Sequence, residues 1–105
     1  MRHFSVDTQS AERRRGDSPY LEFLRVPTMS AGLYELAAGD TDIQTPHRED
    51  EMYVVLGGQG SFTAAGTTIE VAAGSVIFVP AREAHLFHDI VEDLRVLVFF
   101  SPAET

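Results

Sequence analysis

Residues 46–60 read PHREDEMYVVLGGQG. The run Met52–Leu56 is apolar, rich in aromatic and β-branched side chains, and closed by Gly57–Gly58, which is the pattern of a short strand. Glu51 begins that strand and stands four residues after His47. Alternate residues of a strand share a face, so a regular strand from His47 onward would align His47, Glu49, Glu51, Tyr53 and Val55. A turn at Arg48–Asp50 still leaves His47 beside Glu51. A carboxylate in line with a Tyr and a Val is the informative oddity. An inward-facing Glu51 requires a cation or a hydrogen-bonding partner, because burying it alone is costly.

Outward from this stretch the chain is a series of short apolar runs. They are Tyr20–Val26, Gly32–Ala38, Glu51–Leu56, Ser61–Ala64, Thr68–Ala72, Val76–Val79, His85–Phe87 and Leu94–Phe100. Pro27, Gly39–Asp40, Gly57–Gly58, Ala65–Gly66, Ala73–Gly74, Pro80 and Val91–Asp93 separate them, and a further short strand before His47 fits the spacing. About eight or nine short strands with turn signals at this spacing predict an all-β sandwich or barrel. Between Gly60 and Ser75, Phe62 and Ala64 share one face, Ala65–Gly66 turns the chain, and Ile69 and Val71 return opposite Glu70. Val76–Val79 is apolar on both faces, as is Leu94–Phe100 apart from Arg95, so both are expected to be interior strands. Apolar runs on both parities need a second cover, and a homodimer supplies it most simply. Residues 1–18 are polar and without periodicity, so they are expected to form a flexible or strand-swapped N-terminal arm on a single domain at 19–105.

A chain of 105 residues suits one domain, and its apolar fraction of 44% suits a globular one. The net charge is −8 with no lysine, and beyond residue 25 three arginines face twelve acids. Such a field repels a phosphate backbone, and Arg13–Arg14–Arg15 reads as a solvated polar leader, so no nucleic-acid partner is expected. The sequence contains no cysteine, which removes disulfides and thiolate metal sites. The first residues lack the apolar run of a signal peptide, and no stretch has the length of a membrane span. A cytoplasmic protein without a membrane partner is the matching expectation.

A second histidine arrives in PAREAHLF, as His85, just after Val76–Val79. Two imidazoles and a carboxylate from neighbouring strands make a common open site for a divalent metal. Tyr53 either offers its hydroxyl to a ligand beside Glu51 or packs in the barrel. His88 and Asp89 either support His85, form an acid–base pair at a cavity mouth, or end a strand in solvent. Arg82 at the rim pairs with an anionic ligand or with a surface acid. Phe62 and Phe99 are candidate cavity contacts, with packing the plainer role for Phe99.

These residues together resemble the cupins, small jelly-roll barrels also described as double-stranded β-helices. The family's first motif runs from a Gly through two His to a Glu and a Gly. Here it reads Gly39, Thr45 in place of the first His, His47, Glu51 and Gly58. The second motif reads Gly74, Pro80, Arg82 in place of a Gly, His85, and Asp89 in place of an Asn. The resemblance implies His47, Glu51 and His85 as ligands of a divalent ion, with iron, manganese, nickel and zinc all suited to the donor set. Thr45 leaves a coordination position to water, or Gln44 turns an amide oxygen toward it. Pro46 fixes the backbone just ahead of His47.

The resemblance implies a small polar metabolite as ligand and offers dioxygenase or isomerase chemistry without choosing between them. The alternative is a non-catalytic barrel that binds or senses a small molecule. A purely structural role gives no reason to place Glu51 among apolar residues.

Overall fold

The computed structural model describes residues 1–42 and 45–105. Among these residues one helix, α1 (Val6–Arg14), precedes six strands: β1 (Tyr20–Val26), β2 (Met29–Leu36), β3 (Asp50–Ala64), β4 (Thr67–Ala72), β5 (Val76–Val79) and β6 (His85–Ser101). All pairings are antiparallel, in the order β1-β2-β6-β3-β4, with β5 on β3. The expected all-β barrel is what forms.

Strands β3 and β6 are the frame, and each serves two parts of the barrel. The first half of β3 lies between β5 and the end of β6, with Glu51 opposite both Val79 and Phe100. Its second half lies between β4 and the start of β6, where Phe62 faces Ile69 and Phe87. Register shifts between Val55 and Ser61 mark bulges, and bulges bend a strand and increase its twist. The bend brings Phe62 and Phe87 onto Tyr53, at centroid distances of 5.6 and 5.0 Å. Gly57–Gly58 and Val91–Asp93 therefore lie inside continuous strands and do not separate shorter ones. Gly58 is required there: its φ is +94°, and a Cβ would stand 2.2 Å from the Asp93 carbonyl oxygen. Ala65–Gly66 does turn the chain, as a two-residue hairpin loop with both residues at positive φ. The short strand suggested ahead of His47 falls partly on residues 43–44, outside the described residues.

Tyr53, Phe87, Leu94, Val55, Val79 and Val96 fill the core, each almost without exposure. Burial of a side chain of this size contributes about 1.5–3 kcal/mol. Strand β5 departs from its expected interior place. Among the described residues it pairs only with β3, and Val76 and Phe78 are 62% and 59% exposed while Val79 is buried. Apolar residues on both parities here mark an edge strand with an uncovered outer face, a case the pattern alone does not separate from a central strand.

The N-terminal segment also differs from the expected arm. Val6–Arg14 is helical, started by the Ser5 side chain at the amide of Thr8. Its apolar content is too low for a 3.6-residue pattern, and polar contacts dock it. Glu35 on β2 accepts hydrogen bonds from Ser10 Oγ at 3.0 Å, Arg13 Nε at 2.6 Å and Arg95 Nε at 3.0 Å. No helix among the described residues is long and apolar enough to cross a membrane.

Burial alone would raise the Glu35 carboxyl, but the bonds from Arg13, Ser10 and Arg95 outweigh it and hold its pKa below the ordinary value. A depressed carboxylate stabilises the fold above its unfolded pKa, and that contribution fades as pH falls through the folded one. Amide hydrogen exchange across Val6–Arg14 should therefore accelerate as pH is lowered below about 4.5, after correction for intrinsic rates. Glu35→Gln should remove that acid dependence.

Candidate metal centre

Glu51 enters the barrel because β3 begins one residue earlier and places Glu51, Tyr53 and Val55 on its inner face. His85 opens β6, after the loop that follows β5. His47 lies in the segment before β3, where its carbonyl accepts a 2.6 Å hydrogen bond from the Arg82 amide. Its ring packs edge-on against Phe100 at 4.9 Å.

The three side chains converge. One ligand atom from each of His47, Glu51 and His85 lies within 4.8 Å of the other two. Glu51 Oε1 is 2.9 Å from His85 Nε2 and 3.8 Å from His47 Nε2. Two atoms bound to one ion at about 2.1 Å are at most about 4.2 Å apart, so both pairs stand at ligating separations. His85 Nδ1 lies 2.8 Å from the Glu83 carbonyl, which can only accept. That contact puts the proton of a neutral ring on Nδ1 and leaves the Nε2 lone pair facing a carboxylate oxygen. Glu51 Oε1 is buried and has no aligned hydrogen-bond partner. The Nε2 lone pair of His85 is met by the Glu51 oxygen at 2.9 Å and the Tyr53 hydroxyl at 3.1 Å, and a cation or a second ring proton would relieve the contact with the carboxylate. Without a cation, burial lowers the pKa of His85, but the Glu51 carboxylate and the Glu83 carbonyl outweigh it and leave the ring easier to protonate than a free histidine.

A cavity of about 220 Å³ opens beside these residues, lined by Pro19, Tyr20, Tyr34, Tyr53, Val98, Phe100 and Glu104 together with His47 and Glu51. A larger open groove, about 1030 Å³, runs between α1 and the sheet and touches none of the three. Tyr53 is fully buried, with its hydroxyl 3.1 Å from His85 Nε2. Phe62 packs on Tyr53 and on the His85 ring, at 5.6 and 5.9 Å, and so backs the centre from the core side.

Other candidates lie elsewhere. Thr45 is exposed and does not line the cavity, and Gln44 falls outside the described residues. Arg82 is an exposed loop residue that reaches His47 through its backbone amide. Its φ of +69° explains why the motif has a Gly at this position, and the φ of +47° at Asp89 fits the motif's Asn in the same way. His88 and Asp89 pair with each other at 2.7 Å, and His88 Nε2 meets Thr63 Oγ1 at 2.7 Å. Phe87 points inward, so the strand's alternation turns His88 away from the cavity. Phe99 likewise faces outward beside the inward-facing Phe100, opposite Met52 and Ala31. A one-residue offset in a strand exchanges the two faces.

Several residues in and around the cavity carried no signal in the sequence. Asp42 is buried, accepting from the Tyr34 hydroxyl and, at 2.8 Å, from the Phe87 amide. Tyr20 reaches the cavity by lying across Gly32, where a Cβ would stand 2.3 Å from the phenol ring. The Tyr20 hydroxyl is buried without a hydrogen-bond partner. Glu104 arrives from the C-terminal tail, and its Oε2 lies 3.2 Å from His47 Nδ1. Burial raises the Glu104 carboxyl, His47 opposes this, and the charges of Glu51 and Glu49 add to the rise.

Comparison with known proteins gives concordant results. A family model described as a cupin domain matches residues 32–100. An uncharacterized protein of Streptomyces coelicolor is 53% identical over 105 residues, covering all of both chains. A Rhizobium leguminosarum structure of unknown function aligns with a TM-score of 0.81 at 22% identity, over 97% of each chain. The cupin domain of Schizosaccharomyces pombe Cnp3 aligns with a TM-score of 0.72 at 19% identity, over 79% of this chain and 59% of that one. At these identities the two structures speak for the fold.

Burial raises the pKa of the Tyr20 phenol well above its ordinary value, and the Glu104 and Glu22 charges add to the effect. In a spectrophotometric titration Tyr20 should stay protonated through the range near 10 where a free phenol ionises. Gly32→Ala should push the ring out and return its ionisation toward that range, as Tyr20→Phe difference spectra would identify.

Proposed function

The chain belongs to the cupin family, and on that premise we propose that it binds a small polar metabolite at a divalent ion held by His47, Glu51 and His85. The observation that carries this reading is a pair of buried polar atoms without hydrogen-bond partners, Glu51 Oε1 and the Tyr20 hydroxyl, in residues that line the same cavity. Buried polar groups are nearly always satisfied, so two in one cavity point to a cation and a ligand.

The donor set fits iron, manganese, nickel or zinc. Such an ion supplies Lewis-acid polarisation of a ligand oxygen, or a site for O₂, which are the requirements of isomerase and dioxygenase chemistry. Three protein ligands leave coordination positions open. The chain's own residues then do the rest. Tyr20 donates a hydrogen bond to a ligand oxygen, the Tyr53 ring packs on His85, and Phe100 and Val98 exclude water. No Arg lines the cavity and Lys is absent from the chain, while Glu51 and Glu104 both face it. A polyanion would meet no counter-charge from the protein, so an uncharged polar molecule is the favoured ligand class. The same pocket serves a non-catalytic sensing barrel, and turnover of a bound ligand separates the two.

Untagged protein supplied with each of these ions should hold about one per chain by elemental analysis. Glu51→Gln and His85→Ala should lose most of it while keeping the circular dichroism of the barrel. Wild type without metal after such supplementation would overturn the reading.

We also propose a homodimer built on the outer face of β5, β3 and β6. Phe99, Met52 and Phe78 line up across these strands in one row, and Leu97, Val54 and Val76 in the next. Met52, Val76 and Phe78 are 41%, 62% and 59% exposed, and rows of this kind mark association surfaces. Sedimentation at micromolar concentration should give a dimer, and Phe78→Glu a folded monomer. A wild-type monomer at high micromolar concentration would remove this proposal.

A further inference from the structure

Each histidine of the centre has an acceptor at the nitrogen turned away from Glu51. For His85 it is the Glu83 carbonyl, 2.8 Å from Nδ1 and only two residues away. For His47 it is the Glu104 carboxylate, 3.2 Å from Nδ1, supplied by a segment 57 residues later in the chain. The need is greater at His47. This residue precedes β3, so no strand pairing fixes its backbone, and its side chain is 18% exposed against 1% for His85.

We propose that Glu104 is the positioning residue that holds His47 with Nδ1 protonated and Nε2 turned toward Glu51 and His85. This rests on the metal reading for its functional meaning, but the orientation itself is a property of the chain. In a neutral imidazole one nitrogen donates and the other accepts. A carboxylate accepts, so a carboxylate at Nδ1 selects the tautomer whose lone pair lies on Nε2, the atom 3.8 Å from Glu51 Oε1. A carboxylate behind a ligating histidine also raises its basicity. That gain offsets part of what a centre loses with Thr45 in place of a further histidine.

The tail is anchored for this task. The Glu104 amide donates to Ser30 Oγ at 2.9 Å, and Arg25 Nη2 donates to the Glu104 carbonyl at 2.5 Å. Thr105 Oγ1 donates to the buried Glu49 at 2.8 Å, and Ala103 is itself buried. These bonds bracket Glu104 on both sides and aim its side chain into the cavity, where only His47 among the described ligands meets it. They also fix Glu104 without using its carboxylate, so the side chain can be changed while the tail stays docked.

The test uses the full-length protein and two readouts. Long-range ¹H–¹⁵N correlation spectra of the metal-free protein report the tautomer of His47, and competition with a chelator reports Zn(II) affinity. Wild type should show His47 protonated at Nδ1. Glu104→Ala should give mixed tautomers and a Zn(II) affinity roughly 10–100-fold weaker. Glu104→Gln, which keeps a carbonyl acceptor without the charge, should fall between. Thr105→Ala removes one tail anchor but keeps the Glu104 amide and carbonyl bonds, so its effect on both readouts should be smaller than that of Glu104→Ala. Unchanged tautomer and affinity in Glu104→Ala would overturn the proposal. If wild type binds no Zn(II) or other divalent ion, the metal reading fails, and the tautomer spectra alone decide the role of Glu104.

Discussion

A carboxylate with almost no solvent exposure sits between two imidazoles at the start of the central strand, and the rest of the molecule is arranged around that fact. Removing an ionised carboxylate from water costs several kcal/mol unless charge or hydrogen bonds compensate. Nothing in the apolar core can do so. The compensation has to come from His47 and His85, with which Glu51 forms a group that could hold an ion. The inner face of β3 therefore has two requirements in immediate sequence: a polar centre at Glu51, and closely packed aromatic and aliphatic residues from Tyr53 onward.

The bent strands reconcile these requirements. Because β3 and β6 fold over at their bulges, Phe62 and Phe87 from the far halves return to pack on Tyr53. They close the barrel beneath the centre and keep its floor dry. The same bend decides where Gly58 must be glycine, since β3 and β6 approach there to a distance that excludes a side chain. At the open end Tyr20, Tyr34 and Glu104 supply polar atoms above the candidate ligands. The cavity thus has an apolar floor and a wall of candidate ligands, both drawn largely from β3 and β6, and a polar rim from β1, β2 and the C-terminal tail. Docking of α1 through Glu35 happens on the other side of β2, so the helix and the centre are held by separate interactions.

Where the sequence reading and the structure part, strand geometry is the reason. Gly57–Gly58 and Val91–Asp93 look like loops because glycines and acids interrupt an apolar run, yet bulged strands need just such residues at a bend. Val76–Val79 looks interior because both parities are apolar, yet among the described residues it pairs with β3 alone and its outer face is exposed. His88 and Phe99 look like cavity residues because each neighbours one, and strand alternation puts them on the opposite face. Polar contacts to Glu35 give α1 its place, and those contacts span the N-terminus, β2 and β6, where no local pattern can register them.

The sequence by itself determined the all-β class, the strand at Met52–Leu56, and the oddity of Glu51 beside His47 and, in a second motif, His85. These are local properties: turn residues, two-residue alternation and short fixed spacings survive without knowledge of what lies across the barrel. Only the tertiary structure decided that Tyr20 lies over Gly32, that Asp42 is held by Tyr34 and Phe87, and that Glu104 stands behind His47. Those are contacts between segments far apart in the chain, and their partners become neighbours only when β3 and β6 bend and close the barrel.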